Sequence, residues 1–354
     1  MITNELKKFA NGNTDFYVAF DEYYACKNNN RTPSIPMYEM AEKVSNGYFA
    51  EIERLAGVKE ADCPNSWMAN PQVQWAAMAI VNEVVNSLIP QYMTNSLSPF
   101  VDFRTVGYGD TVKFDIKPRT LYVVSRGGQG ERVSFRQKSY KGNLILTPEE
   151  RLVTVFVDMA SVLAKKEDLA DFIRLAVISI EREMTVDAIK ALNEGLSTTN
   201  NYPTQFIETG AFSAQTAIKL AQRVQAYNYG AKPVFMGSAA ALSKVLPDYS
   251  AGFRMEVAGA DGSVRIMKDF YGYELIELTQ IPSGNNFGML LDDNTLYVVS
   301  PSVDKVVKGV MSPTLTNGNQ FYDNADITSN FTMRRLWNFA FISAGYAGKY
   351  TITA

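Results

Sequence analysis

Apolar residues Val73, Ala76, Ala77, Ile80, Val84 and Leu88 recur at steps of three and four, the period of a helix with one buried face. Residues 1 to about 100 therefore read as mostly helical. Pro90 and Pro99 are expected to close this region, and Asn28-Asn29-Asn30-Arg31-Thr32-Pro33 is expected to be a polar loop between helices. From about Val101 the period changes to two. Val112, Phe114 and Ile116 alternate with Lys113, Asp115 and Lys117, and Val133 and Phe135 alternate with Ser134 and Arg136. Between these runs lies Arg126-Gly127-Gly128-Gln129-Gly130-Glu131, where glycines allow the positive φ angles of a tight turn. The prediction is a long hairpin, with arms from about Val112 to Ser125 and from Arg132 to Leu146. At about 3.3 Å per residue each arm could reach roughly 45 Å. A compact globule of this chain length has a diameter of only roughly 50 Å, so the hairpin either folds back or projects. Two-stranded ribbons are marginal alone in water, and a projecting one needs the surface of another molecule.

Leu152 to Met159 is β-rich, and it leads into a strong helical pattern from Leu169 through Ala176, Ile180 and Met184 to Leu192. Asp168 and Asp171 suit the first turn of that helix, and Gly195 stands where a C-terminal cap belongs. At 1.5 Å per residue such a helix is a rod of about 40 Å. From Tyr202 to Val310 the signals mix: helices at Ser213 to Tyr227 and Ala239 to Leu246 are interleaved with strands. The strands fall at Pro233 to Met236, Phe253 to Val257, Val264 to Met267, Tyr273 to Leu278, Gly288 to Leu291 and Thr295 to Val299. Ala260-Asp261-Gly262 and Asp292-Asp293-Asn294 are candidate hairpin turns. An Asn-rich loop near Asn317 to Asn330 precedes a closing apolar run, Phe331 to Ala344, expected to return to the rod and ribbon.

Composition mainly excludes. With 46% hydrophobic and 20% charged residues the chain is that of a folded protein, and its length favours two or three modules. A net charge of -3 does not mark a dedicated nucleic-acid binder. There is no histidine, so no Ser-His or Cys-His catalytic arrangement and no H-E-x-x-H zinc motif can exist. Neither a G-x-x-x-x-G-K-[ST] phosphate loop nor a G-x-G-x-x-G fingerprint is present, and Cys26 and Cys63 form no C-x-x-C pair. No signal-like segment opens the sequence and no apolar run approaches the length of about 18 residues that would suggest a membrane span, so a cytoplasmic protein is expected. No cofactor or metal is expected.

The order of elements resembles the major capsid proteins of tailed bacteriophages, which share the Hong Kong ninety-seven fold. The resemblance covers about Val101 to Ile352. It is carried by Val234 to Pro247, by Arg265 to Pro282 ending in Gln280-Ile281-Pro282, by Leu296-Tyr297-Val298-Val299-Ser300, and by Arg334 to Phe341. It implies an α+β subunit: a helical N-terminal region (1–100), an extended loop (101–146), a peripheral domain with a long spine helix (147–204 and 331–354), and an axial domain (205–330). It further implies a structural, non-catalytic subunit that assembles with its own copies into pentamers and hexamers of an icosahedral head. Double-stranded DNA would be enclosed without sequence readout, scaffold and portal proteins would assist, and assembly would take place in the host cytoplasm. An encapsulin-like nanocompartment shell is the alternative on the same fold. A histidine-free enzyme using carboxylates is the alternative of another class, and it would need a defined pocket.

The candidate contact residues all lie on the extended loop: Arg126, Gly127, Gly128, Gly130, Arg132, Arg136, Lys138 and Lys141. Their cations could pair with carboxylates of an adjacent subunit, or they could simply solvate and protect a ribbon edge. Trp337, Phe339 and Phe341 alternate as one buried strand face, which favours core over interface for the aromatic C-terminal region that also holds Tyr346 and Tyr350. Glu149-Glu150 and Asp292-Asp293 are expected to be turn or surface residues rather than metal ligands.

Overall fold

The computed structural model describes residues 15–29, 34–62, 67, 70–97, 99–107, 109–116, 137–138, 142–158, 169–245, 268–283, 287–313, 315–319, 328–342 and 345–353. Among the described residues the N-terminal region forms three α-helices, α1 (Asp15–Asn29), α2 (Met37–Ala56) and α3 (Pro71–Leu97). Each buries one stripe: Phe16, Ala19, Phe20 and Tyr23 on α1, Met40, Val44, Tyr48 and Ile52 on α2, and Val73, Ala76, Ile80 and Val84 on α3. Pro71 occupies the first helical position, where its missing N–H costs nothing. Gly57 caps α2 at φ 67, its N–H bonded to Glu53 O. The expected break at Pro90 does not occur, because α3 continues through it to Leu97. A proline forfeits one backbone bond and crowds the preceding turn, a local cost that the packed face of a long helix can offset. Asn28 and Asn29 likewise belong to α1 rather than to a loop.

These helices are no loose arm. α1 packs on α2, α2 on α3, and both α2 and α3 pack on α4 (Leu169–Gly195), the long rod anticipated from the sequence. One continuous core runs from Phe16 through Val177, Ile180 and Met184 of α4 to the C-terminal strands. Inside it the Glu51 carboxylate accepts two hydrogen bonds from Arg54, at 2.8 and 2.6 Å, and one from the Tyr17 hydroxyl at 3.3 Å, so the buried charge is satisfied.

Tyr24 on α1 donates to Glu181 Oε2 on α4 at 2.9 Å. Burial raises the Glu181 carboxyl above the usual carboxylate range, and the Tyr24 bond only partly opposes this. A carboxyl raised in the folded state contributes stability below its unfolded pKa, and that contribution is lost as pH rises through the folded value. Glu181→Gln, which keeps an acceptor for Tyr24 but cannot ionise, should therefore melt higher than the parent at pH 7. The gap should close as pH falls below about 4, where an unperturbed glutamate protonates. Melting curves that show a constant gap from pH 7 to pH 3.5 would contradict this.

Two larger sheets are formed by the described residues. The first is five-stranded: β1 (Val101–Thr105) runs parallel to β12 (Val307–Met311), which lies antiparallel to the C-terminal half of β14 (Thr328–Phe341). The N-terminal half of β14 pairs with β13 (Leu315–Asn319), and its opposite edge pairs with β4 (Glu149–Asp158) from Trp337↔Glu149 to Thr328↔Asp158. The Trp337 indole is buried and donates to Asp187 Oδ2 on α4 at 3.0 Å, tying the central strand to the rod. Phe339 and Phe341 are partly buried against the same core and Tyr350 is fully buried, in keeping with the core reading of this segment. The Asn-rich stretch is partly strand, since Leu315–Asn319 and the start of β14 pair there as Asn319↔Asn330.

The second sheet is six-stranded, in the order β5 (Ile207–Gly210), β15 (Gly348–Ile352), β11 (Thr295–Val299), β6 (Val234–Gly237), β8 (Tyr273–Glu277) and β7 (Asp269–Phe270). Helices α5 (Ala214–Tyr227) and α6 (Ala239–Ser243) pack on it, with Ser238 capping α6 by accepting from Ala241 N. The expected strands at 253–257 and 264–267 and the turn Ala260-Asp261-Gly262 lie outside the described residues. Asp292-Asp293-Asn294 forms a turn but not a hairpin, because the strands flanking it pair elsewhere. Asp292 instead braces the start of β11 by accepting from Asn294 N and from the Thr295 hydroxyl.

Sheet membership does not follow the segment boundaries expected from the order of elements. β15, near the C-terminus, lies in the six-stranded sheet, whereas β12 and β13 join β1 in the five-stranded one. The chain crosses between layers where long-range pairing sends it, and no local periodicity records that crossing.

Gly195 also departs from expectation. It ends α4 without adopting a left-handed φ, so it is not the anticipated cap. A Cβ at this position would lie within 3.0 Å of three atoms of Phe341, including that residue's own Cβ. Glycine is required here because the Phe341 ring of β14 lies directly on the helix backbone.

Candidate assembly surface

The expected hairpin is rooted by β2 (Val112–Ile116) and β3 (Gly142–Leu146), antiparallel with Val112↔Leu146 and Ile116↔Gly142. Alternation gives the root two faces. Phe114 and Leu146 are buried with Val310 and Ile342 in a small separate core, and Val112, Ile116, Leu144 and Ala340 pack around it. On the opposite face Lys113, Asp115 and Asn143 are exposed, as is Ile145 at 63%. Of the eight candidate contact residues, Lys138 is described; it is exposed and belongs to neither strand. Arg126, Gly127, Gly128, Gly130, Arg132, Arg136 and Lys141 lie outside the described residues, as does most of the second arm expected from Arg132.

A charged clasp, which sequence reasoning missed, sits beside the root. Lys308 on β12 is only 3% exposed, and its ammonium donates to Asp102 on β1 at 3.2 Å and to Asp304 in the preceding turn. The Arg104 guanidinium carbon stands 4.4 Å over the Phe114 ring and the Lys308 nitrogen 5.9 Å from it, so the ring is flanked by two cations. Lys308 and Asp102 are cross-strand neighbours separated by 206 positions in the chain, and nothing local in either segment signals the contact.

Elsewhere the carboxylate pairs behave as ordinary surface groups. Arg151 lies 3.7 Å from Glu149, Arg334 pairs with Glu150, and Asp293 accepts from Ser238 and Gln280. A cleft of about 490 Å³ lies where the end of α4 meets β14, lined in part by Glu194, Gly195, Tyr202 and Phe341. Glu194 is the one ionisable carboxylate lining it. Tyr202 is engaged in structure: its hydroxyl donates to Ala347 O at 2.8 Å and accepts from Ala347 N at 2.9 Å, and burial pushes its pKa up to about 12. Among the described residues, the lining brings no second carboxylate beside Glu194. Among the described residues no group of three or more potential ligands could hold a metal ion, and no helix is long and apolar enough to cross a membrane.

Known proteins agree with this architecture. A family model described as "SPbeta prophage-derived putative capsid protein YonB" matches residues 49–257, more than half of the chain. No curated protein matches the sequence. Among solved structures, the capsid of a native GTA particle aligns at 10% identity with a TM-score of 0.50, covering 74% of this chain and 91% of that one. The mature capsid of bacteriophage PhiM1 aligns at 14% identity and 0.49, over 72% and 86% of the two chains. A virus-like particle from Pyrococcus furiosus aligns at 11% and 0.43, over 76% and 98%. The fold is that of the Hong Kong ninety-seven class of phage capsid subunits, an α+β architecture. Within that class the chain belongs to the prophage-derived capsid family represented by YonB.

Proposed function

We propose that this subunit builds an icosahedral phage head from pentamers and hexamers of itself and that it encloses double-stranded DNA through non-specific contacts. The single observation that carries this is the β2–β3 root. It is a two-stranded ribbon held by its own small core and by the Lys308 clasp, with residues 117–141 continuing from it. A ribbon anchored this firmly at one end is suited to lie on a neighbouring subunit, which would supply the surface that two strands need. On this reading Arg126, Gly127, Gly128, Gly130, Arg132, Arg136, Lys138 and Lys141 meet the neighbour. The six-stranded module acts as the axial domain, and the five-stranded sheet with α4 acts as the peripheral domain. Scaffold and portal proteins would assist assembly in the host cytoplasm. The subunit itself would catalyse no reaction and need no cofactor.

Many weak contacts repeated by symmetry would give a strong shell while each single contact stays reversible during assembly. Electron microscopy of the full-length protein after size exclusion provides the test. Rings, tubes or closed shells are expected, with nucleic acid inside particles purified from a phage-producing host. Particles free of nucleic acid but filled with a protein cargo would favour the nanocompartment alternative. A strictly monomeric or dimeric globule, at high concentration and with scaffold partners supplied, would overturn the proposal.

A further inference from the structure

The six-stranded module carries a short hairpin, β9 (Pro282–Ser283) and β10 (Gly288–Met289), paired as Gly288↔Ser283 and Met289↔Pro282. Its stem is stiffened beyond that pairing. Leu290 N donates to Ile281 O at 2.9 Å. The Gln280 side chain then acts as one further rung, accepting from Leu291 N at 3.1 Å and donating to Leu291 O at 2.8 Å and to Asp293 Oδ1 at 3.1 Å. At the end of this stem Phe287 holds a left-handed φ of 54 and is 99% exposed, and Met289 two residues on is 64% exposed. A bulky side chain rarely occupies that backbone region, and a whole phenyl ring in water forgoes its burial energy. Two unfavourable features thus coincide at one residue on a rigid support.

We propose that Phe287, with Met289, is an apolar knob that docks on a second copy of this chain. The inference rests on the shell reading above and adds an anchor residue to it. Aromatic anchors on rigid supports dominate the energetics of protein contacts. The same module also exposes Tyr227, Tyr229 and Tyr271, residues of the type enriched at such contacts. The partner, a second copy, is the one the shell reading supplies, and charge permits it. From Pro282 to Met289 the sequence Pro-Ser-Gly-Asn-Asn-Phe-Gly-Met has no ionisable side chain, so tips of identical copies can approach one another without like-charge repulsion.

The test compares the full-length protein with Phe287→Ser and Phe287→Leu, following association by sedimentation velocity and electron microscopy, and places a photo-reactive phenylalanine analogue at position 287. Phe287→Ser should keep the parent's circular dichroism and melting temperature, since the ring is almost fully exposed, yet should associate at least about tenfold more weakly. Phe287→Leu should retain most of the association, and the analogue should cross-link one chain to another. Association of Phe287→Ser at the parent's threshold concentration, or cross-links confined within one chain, would overturn the inference while leaving the shell reading intact. A parent protein that does not associate at all would sink both.

Discussion

Gly195→Ala is expected to destabilise the folded subunit by about 3 kcal/mol, the upper end of the usual range for forcing atoms into a packed core. The added methyl would fall within 3.0 Å of the Phe341 ring and of the Phe341 Cβ. A ring alone could rotate aside, but a Cβ moves only with its strand, and β14 is hydrogen-bonded to β12, β13 and β4. The strain therefore spreads into the junction of rod and sheet. Tyr202 also stacks edge-on against Phe341 at 5.7 Å, which restricts the ring further. Urea unfolding followed by circular dichroism gives the comparison. In a Phe341→Gly background, which removes the Cβ as well as the ring, the same Gly195→Ala change should cost almost nothing, since the two sites are coupled through direct contact. Equal penalties in both backgrounds would show that the helix end needs glycine for some reason other than the ring.

Phe114→Ala should act in a different way. Removing a buried phenyl side chain costs about 3 to 5 kcal/mol, but Phe114 belongs to the small cluster with Leu146, Val310 and Ile342 rather than to the main core. The loss should appear as local opening of the ribbon root, on the order of 100-fold more frequent, while the main body unfolds at its former temperature. Hydrogen exchange resolved by mass spectrometry would show protection lost at 112–116 and 142–146 and retained in α4. Because the ribbon is proposed to lie on a neighbour, assembly should fail in the same variant. Protection lost equally across the molecule would mean that the root is part of one cooperative core. Intact assembly despite a frayed root would argue against the ribbon as a contact element.

The clasp beside Phe114 adds to the same anchoring. Lys308 is buried and balanced by Asp102 and Asp304, whose side chains are 33% and 39% exposed. Their proximity to solvent limits what the ion pairs contribute to stability. The clearer consequence is positional, since a buried ammonium tolerates only arrangements that keep its partners close. Such a clasp favours one orientation of β1 against β12 and, through Arg104 over Phe114, one seat for the ribbon root.

The kind and order of most elements were written in the sequence. Steps of three and four at Val73 to Val84 and at Ala176 to Leu192 marked α3 and α4, and the alternation at 337, 339 and 341 marked a half-buried strand, because side-chain period follows directly from backbone geometry. The lack of histidine removed most catalytic chemistries before any coordinate was needed. The partner of each strand was not so written. β15 lies beside β5 and β11, β1 lies beside β12, and the ammonium of Lys308 finds its carboxylate 206 positions away. Nor did the sequence distinguish a glycine that caps a helix from one that admits a ring. Periodicity tells a residue which face to bury, but it does not say against what. Only packing the whole chain at interior density decides that, since each candidate contact must compete with all the others for the same space.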